Sequence, residues 1–554
     1  MITSSFQEAR AMTAFQTNLF AADHLPNSNP EFLGAGSTDA PTGLTNFDMI
    51  DQLLGQYRQR EQAIEDTKQF IDSAFNQGVM NYFIEGARLV YGPEYRYSIP
   101  SDTEAAKASL RAEFWTRLLN DAQVFEVMPT AKREQARAQF SGLECPPFDE
   151  STVRPTLENL LAARKTYFAE RVDGIFFGLS REHVSNSPAG FSKRMILANV
   201  YDADGYVNTH KAGIISDLRG VVGRLTGRGE PSEYATRKLL GNIYRKALGK
   251  KIQIDGGAFS LVVYRKGTVH FEVAEEVAIE LNSILATLYP TAIPSKFRTP
   301  QKAGKKPASF DLKMQRLPMA VIDLLSALDR RGDSYSAYVY SKAQDAVDQT
   351  AQVLRDIGAV VRLSADKNYL YAQFDFDADA VIDQLIYSGA VPEKAAYQWY
   401  PTRSEIGLVA AALLDVRPGH NCCEPQAGTG DLAQYLPMES TTCIELAQVR
   451  VKVLESKGYR VVKADFLEWA SNNSSTRFDR ILMNPPFSHG RAAAHLEAAA
   501  SLLATDGRLV AILPASMINT SPLEGFSHNW SEVFEDQFEG TAVRVAILTA
   551  ERPQ

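Results

Sequence analysis

From about Tyr397 to the end of the chain, helix-like stretches alternate with short, nearly unbroken apolar runs. The runs are NCCEP (421–425), TTCIEL (441–446), YRVVKADF (459–466), FDRILMNPP (478–486), RLVAILP (508–514) and VRVAILTA (543–550). A strand that is apolar on both alternating faces must be covered on both. Strands separated by helices pair in parallel. The region therefore predicts a doubly wound, mostly parallel α/β sheet. Such sheets bind ligands beyond the carboxyl ends of their strands, so the residues at those ends carry the functional information.

The first run leads into Glu424-Pro425-Gln426-Ala427-Gly428-Thr429-Gly430. Glycine at 428 and 430 lets the backbone turn sharply and approach a ligand without a Cβ in the way. The loop lacks the third glycine of a dinucleotide fingerprint and the Lys-Ser/Thr of a phosphate loop, which suits a nucleoside without phosphate. The second run ends at Glu445, whose carboxylate can accept from both hydroxyls of a ribose. The third ends at Asp465-Phe466, an acceptor for an adenine amino group beside a ring-packing aromatic. The plain alternative there is a helix cap followed by a core Phe. The fourth ends in Asn484-Pro485-Pro486-Phe487. Two prolines stiffen this loop and leave carbonyls without local NH partners. The Asn484 side-chain oxygen and the Pro485 carbonyl can together accept from one NH2 group, while Phe487 offers a flat apolar face. A conjugated amine is a poor nucleophile because its lone pair is delocalised. Two acceptors on its hydrogens favour the pyramidal form that can attack a methyl group, and no strong base is needed.

On these residues the chain resembles class I S-adenosylmethionine-dependent amino-methyltransferases, and among them the N6-adenine DNA methyltransferases. EPQAGTG looks like their cofactor loop, Glu445 their ribose-binding acid, Asp465-Phe466 their adenine contact and NPPF their catalytic loop. Tyr400-Pro401-Thr402 is similar to the N-terminal cofactor motif, in which the Thr neighbourhood meets the methionine end. Phe538 to Leu548 resembles the hairpin of strands six and seven that closes the sheet. The resemblance implies a Rossmann-like methyltransferase fold with seven mostly parallel strands over 393–554. It implies S-adenosylmethionine bound by Tyr400, Pro401, Thr402, Glu424, Pro425, Ala427, Gly428, Gly430, Glu445, Asp465, Phe466 and Asn484. Catalysis would fall to Asn484, Pro485, Pro486 and Phe487. Such enzymes often carry a target-recognition domain after the catalytic one, whereas this sequence stops at Gln554. DNA reading is therefore expected from the N-terminal two thirds or from a partner, or else sequence specificity is low. The stretch from Asp51 to Ser295 is similar to an uncharacterised domain found beside such enzymes on plasmids and phages, which transfers no function.

The remainder reads as a loosely ordered leader (1–50) and a mainly helical α+β domain (51–293) with a hairpin in KKIQIDGGAFSLVVYRKGTVHFEV. A basic linker (294–316) and a small α+β module (317–392) follow. The chain has 554 residues and a net charge of −8. Residues 191–270, however, hold 14 Lys and Arg against 6 Asp and Glu, so the rest, 44 basic against 60 acidic, carries −16. The positive segment is the expected face for phosphate contact, through Arg237, Lys238, Arg245, Lys246, Lys250 and Lys251, with a solvated helix face as the alternative. Four cysteines without CxxC spacing argue against disulfide or zinc frameworks, and no metal is expected. No apolar run approaches the roughly 18 residues of a membrane span. The first residues lack a basic start and apolar core, so a cytoplasmic protein without a secretory signal is expected. Transfer of methyl to adenine N6 in double-stranded DNA, by base flipping, is the leading functional expectation. RNA or protein-glutamine methylation is a second, and a DNA-binding counter-defence module with a relic methyltransferase domain is a third. A role in restriction-modification or on a mobile element is analogy alone.

Overall fold

The computed structural model describes residues 44–94, 102–122, 124–180, 194–289, 314–340, 342–518, 523–538 and 543–552, together with 186, 190–192, 293, 294, 298 and 520. Most of the expected leader and most of the expected linker lie outside the described residues. The chain divides into residues 1–51 and 52–554, and the architecture below is that of the second, apart from residues 44–51 at the start of the first helix.

Helices come first: α1 (Leu44–Asn76), α2 (Val79–Tyr91), α3 (Thr103–Asp121), α4 (Val124–Val127), α5 (Thr130–Gln139), α6 (Glu150–Ala162) and α7 (Arg164–Ser180). Asp102 and Asp149 cap α3 and α6 by accepting from the amides of Ala105 and Thr152, both at 2.9 Å. These caps satisfy donors that a helix start leaves open. Phe114, Trp115, Phe140 and Phe148 form the aromatic core beneath α3.

The chain continues through β1 (Arg194–Leu197), α8 (Thr209–Leu225), α9 (Glu233–Lys246), β2 (Lys251–Ile254), β3 (Phe259–Val263), β4 (Val269–Val273) and α10 (Glu275–Leu288). The expected hairpin is larger than its sequence signal. Strands β2, β3 and β4 form a meander, and β1 joins it in a four-stranded antiparallel sheet of order β1-β4-β3-β2. Strand β1 is four residues long and distant in sequence from its partner, so no local pattern announces the pairing. Asp255, Gly256 and Gly257 turn β2 into β3 with positive φ at all three residues.

Beyond lie β5 (Met314–Arg316), α11 (Met319–Ser326), β6 (Asp329–Arg331), β7 (Ser334–Tyr338), α12 (Gln344–Asp356), β8 (Val360–Leu363), β9 (Tyr369–Gln373), α13 (Asp379–Ser388) and β10 (Ala390–Pro392). One hydrophobic core runs from Val172 through α8 and the meander into α11, α12 and α13. Polar ties fasten the same join. The buried Arg228 guanidinium donates to the carbonyls of Leu317 (2.7 Å) and Gly389 (3.0 Å). Asp323 accepts from the Ser232 amide, and Asn242 donates to Asp383. The last residues of the Lys/Pro-rich stretch are themselves strand β5, paired antiparallel with β10.

The C-terminal part holds α14 (Lys394–Tyr397), α15 (Ser404–Leu414), β11 (Cys422–Glu424), β12 (Thr441–Glu445), α16 (Gln448–Lys457), β13 (Arg460–Lys463), α17 (Phe466–Asn472), β14 (Phe478–Met483), α18 (Arg491–Ser501), β15 (Leu503–Pro514), β16 (Ser527–Phe534) and β17 (Val545–Glu551). Among the described residues these strands form a mixed seven-stranded sheet of order β13-β12-β11-β14-β15-β17-β16. The first five are parallel, and β17 runs antiparallel to both neighbours. Both faces are buried. Ile481, Met483, Leu509, Ala511 and Leu513 meet α17 and α18, while Leu482, Val510 and Ile512 meet α15 on the other side. The closing hairpin departs from the expected position. Its first strand is β16, some ten residues before Phe538. As the sheet edge, β16 has mostly exposed or half-exposed residues and therefore lacks an apolar run.

Arg219 and Asp255 form a bidentate pair at the heart of the N-terminal core, with N–O distances of 2.7 and 2.9 Å and almost no exposure. Removing one partner strands the other's charge. Arg219→Leu is expected to cost about 3–5 kcal/mol in denaturant unfolding, and Arg219→Leu with Asp255→Asn to recover most of it. Equal losses in the single and double variants would contradict this.

Candidate functional site

Parallel pairing brings the ends of β11, β12, β13 and β14 to one edge of the sheet, where they surround a cavity of about 680 Å³. Its lining includes Tyr400, Thr402, Glu424, Pro425, Ala427, Gly428, Glu445, Asp465, Phe466, Asn484, Pro485, Pro486 and Phe487. Of the residues expected there, Pro401 and Gly430 are outside the lining. Gly430 serves the turn instead: its φ is 91°, and its amide donates to the Ala427 carbonyl at 2.7 Å.

The glycine loop is held open by Glu445. One carboxylate oxygen accepts from the Gly428 amide (3.0 Å) and the other from the Ala447 amide (2.7 Å). Oε2, which takes the Gly428 amide, keeps a second lone-pair direction for a ligand hydroxyl, while Oε1 also faces Arg450. Gly428 has φ 54°, and a Cβ there would lie 2.6 Å from the Trp399 indole nitrogen, so the loop requires glycine under the Trp399 ring. A short 3-10 turn, Ala433–Tyr435, follows the loop rather than an α-helix. Arg450 lies 3.6 Å from Glu445, and its guanidinium sits 4.9 Å from the centre of Trp399 and 5.3 Å from that of Tyr397.

Two buried polar atoms in the lining have no partner among the described residues: Glu424 Oε2 and Gln426 Oε1. Burial pushes the Glu424 carboxyl well above its ordinary range, with the nearby Asp431 charge acting in the same direction. Burial also raises Asp431, against hydrogen bonds from the Thr402 amide (3.0 Å) and the Thr429 hydroxyl (3.1 Å). Two crowded carboxyls, one with a bare oxygen, suit a cationic ligand group. Gln426 also meets His495 Nδ1 at 2.8 Å, and burial pushes this imidazole down to about 4, so it is neutral near pH 7.

The segment from Gln398 to Thr402 fastens the loops around the cavity. The Thr402 hydroxyl accepts from Asn484 Nδ2 at 3.1 Å, which assigns the amide orientation and leaves Oδ1 as the acceptor. Gln398 Oε1 accepts from the Ser488 amide, at 3.1 Å, just past the proline loop. The Phe487 ring meets Phe538 edge-on at 5.9 Å, and Tyr400 meets Phe538 at 6.4 Å. Asp465 is both cap and wall. Its Oδ1 takes the amides of Leu467 and Glu468, and the residue lines the cavity. Phe466 is a core residue with its ring 5.7 Å from that of His495.

Sequence reasoning did not find Gln398, Trp399, Asp431, Arg450, His495 or Phe538 as lining residues. Asp431 directly follows Gly430, and Trp399 adjoins Tyr400-Pro401-Thr402, so both had a local signal. Arg450 and His495 are single residues on helices and had none. All four cysteines are buried, and burial raises the thiols, with Cys422 up to about 11, so none is a ready nucleophile. Among the described residues no His, Cys, Asp and Glu cluster is arranged to hold a metal, and no helix is long and apolar enough to cross a membrane.

The six cations expected to meet phosphate lie elsewhere and are partly engaged. Lys246 pairs with Asp383 (2.6 Å), and Lys251 pairs with Glu272. Lys238 donates to the Leu328 carbonyl, and Arg245 donates to Asn242. Arg237 and Lys250 are exposed. Arg219 and Arg228 of the same positive segment are buried in the core and face no solvent.

Residues 107–291 match a family model described as a domain of unknown function, DUF4942. No curated protein matches the chain. Similar solved structures include a chain of a type I R-M system, with 19% identity over 29% of this chain and 44% of that one and a TM-score of 0.24. TrmN from Thermus thermophilus is similar at 16% identity, over 39% of this chain and 69% of that one, with a TM-score of 0.23. Precorrin-6y C5,15-methyltransferase from Geobacter metallireducens GS-15 is similar at 17% identity, over 27% and 87%, with a TM-score of 0.22. Several matched chains are spanned over only 44–61% of their length.

The raised Glu424 carboxyl has a consequence for stability. Its folded state binds a proton more tightly than the unfolded state does, so stability falls as pH rises above the ordinary carboxylate range. Glu424→Gln removes that loss. Thermal unfolding across pH 5–9 is expected to show the variant gaining on the parent as pH rises, and a constant difference would contradict the assignment.

Proposed function

We infer that the chain transfers a methyl group from S-adenosylmethionine to the exocyclic N6 amine of adenine in DNA. The observation that carries this reading is the convergence of Asn484, Pro485 and Phe487 on the cavity that also receives the glycine loop and Glu445. The bare Glu424 oxygen, the turn at Gly428 and the Glu445 carboxylate fit this cofactor's ammonium, sulfonium-linked chain and ribose.

The bound cofactor supplies an electrophilic methyl on a sulfonium. Glu445 holds the ribose hydroxyls, and Asp465 beside Phe466 recognises the adenine ring of the cofactor. Glu424 would face the ammonium, in the neighbourhood of Thr402, and that positive charge would favour its ionised carboxylate. A target base flipped from duplex DNA enters beside Phe487, which packs on its ring. Asn484 Oδ1 and the Pro485 carbonyl accept the two amine hydrogens and draw the nitrogen toward the pyramidal geometry of attack. Thr402 keeps Asn484 in the orientation that presents oxygen rather than NH2. Asn484 and Pro485 stabilise the charge that develops on the amine, and its extra proton leaves to solvent after transfer. Positioning and the two fixed acceptors supply the acceleration.

Methyl incorporation from labelled cofactor into DNA, RNA and glutamine-containing peptide tests the reading. Label is expected in DNA. Asn484→Ala should lower kcat by about 100-fold or more, the scale of losing a fixed charge-stabilising group. Thr402→Ala should lower kcat by about tenfold, the scale of one lost positioning hydrogen bond, and Thr402→Ser should restore it. Label in RNA or peptide alone would move the activity to another amine.

A further inference from the structure

Strands β6, β7, β9 and β8 form an antiparallel sheet in that order. One face is closed: Tyr335, Ala337, Leu370 and Ala372 are buried in the core against α12 and its neighbours. Register puts Ser334, Ser336 and Tyr338 of β7, Tyr369, Tyr371 and Gln373 of β9, and Val360 and Arg362 of β8 together on the opposite face. That face is open. Tyr338 is 52% exposed, Tyr369 41%, and Tyr340, just past β7, 61%. The four tyrosines form a chain of ring contacts, with centroids 6.1 Å apart for Tyr340–Tyr338, 5.1 Å for Tyr338–Tyr369 and 6.2 Å for Tyr369–Tyr371. Arg362 lies 5.0 Å over the Tyr371 ring.

We propose that this tyrosine face binds single-stranded DNA by stacking bases on Tyr338, Tyr340, Tyr369 and Tyr371. An exposed aromatic cluster of this kind marks an interaction site rather than ordinary surface. Its chemistry selects the partner. Protein-docking faces are usually anchored by aliphatic as well as aromatic side chains, and here Val360 is the aliphatic member. Flat rings interleaved with a guanidinium on an antiparallel sheet, with helices on the reverse, are what unpaired bases stack on. The charge agrees. Arg362 and Arg331 share the face with Asp329, and exposed Lys342 and Lys367 stand at its ends. Asp366, in the β8–β9 turn, is engaged by Ser364 and Asn368. The face itself, with Arg331 and Arg362 against Asp329, is net positive, while exposed Asp333 and Asp375 border it. Duplex DNA hides its base faces, so the ligand is a single strand, such as one exposed next to a flipped or melted target. The choice of DNA over RNA rests on the function proposed above; the stacking surface does not.

Fluorescence anisotropy of a labelled oligothymidine of about 12 nucleotides tests this, using the full chain without cofactor. The probe contains no adenine, so the cavity's target is absent. The parent is expected to bind the single strand more tightly than a duplex of equal length. Tyr338→Ser with Tyr369→Ser should weaken binding by about tenfold or more, while Tyr338→Phe with Tyr369→Phe stays within about twofold, because stacking needs the ring and not the hydroxyl. Arg362→Gln should reduce the salt dependence. All variants should keep the parental melting temperature. Unchanged binding by the serine pair, equal affinity for duplex, or binding of RNA without DNA would overturn the proposal. Oligothymidine binding without methyl transfer to any DNA counts against the catalytic reading alone; methyl transfer without oligothymidine binding counts against this surface alone.

Discussion

Five parallel strands leave all their carboxyl ends on one side of the sheet, and the loops that follow have no choice but to meet there. That constraint places a glycine turn after β11, a carboxylate at the end of β12, another acid after β13 and the proline loop after β14 around one cavity. Burial of both sheet faces then fixes the geometry. With alternate residues locked against α15 on one side and α17 and α18 on the other, a strand cannot slip by one residue without exposing its apolar set. The ends of the strands inherit that rigidity.

The cavity is completed by residues outside the strands. Segment 398–402 follows α14, which follows the last strand of the small module, and its side chains reach three loops. Trp399 covers Gly428, the Thr402 amide and hydroxyl tie Asp431 and Asn484, and Tyr400 meets Phe538. The module also shares its hydrophobic core with Val449 and Val453 of α16, the helix that carries Arg450 to Glu445. A change in the module therefore has a short covalent and packing route to the cavity. Polar groups at this join are paired within the protein. Arg228 takes two backbone carbonyls, and Arg219 takes Asp255, so the positive charge counted along 191–270 is spent partly inside the fold.

What the sequence revealed depended on whether the information was local. Near-continuous apolar strands announced the C-terminal sheet, and motif residues at their ends announced the cavity, because both are written in consecutive residues. Strand β16 was missed because an edge strand needs no apolar run. Strand β1 was missed because its partner β4 lies some seventy residues away. Arg450 and His495 reach the cavity from helix faces by tertiary packing alone. Basic residues along α9 were legible as charge, but not as partners of Asp383 and the Leu328 carbonyl, since those contacts cross the module boundary. The tyrosine face was invisible because its members are spread over strands β6 to β9, and only register gathers them.

The central claim is that Asn484 Oδ1 and the Pro485 carbonyl activate an adenine amine. Nucleoside mass spectrometry tests it most directly, on unmethylated DNA incubated with the full chain and S-adenosylmethionine and then digested. The account predicts N6-methyladenosine as its 2′-deoxynucleoside, present with the parent protein and formed at least about 100-fold more slowly with Asn484→Ala. Methyl carried on cytosine, or DNA left unmodified by a protein that binds the cofactor, would contradict it.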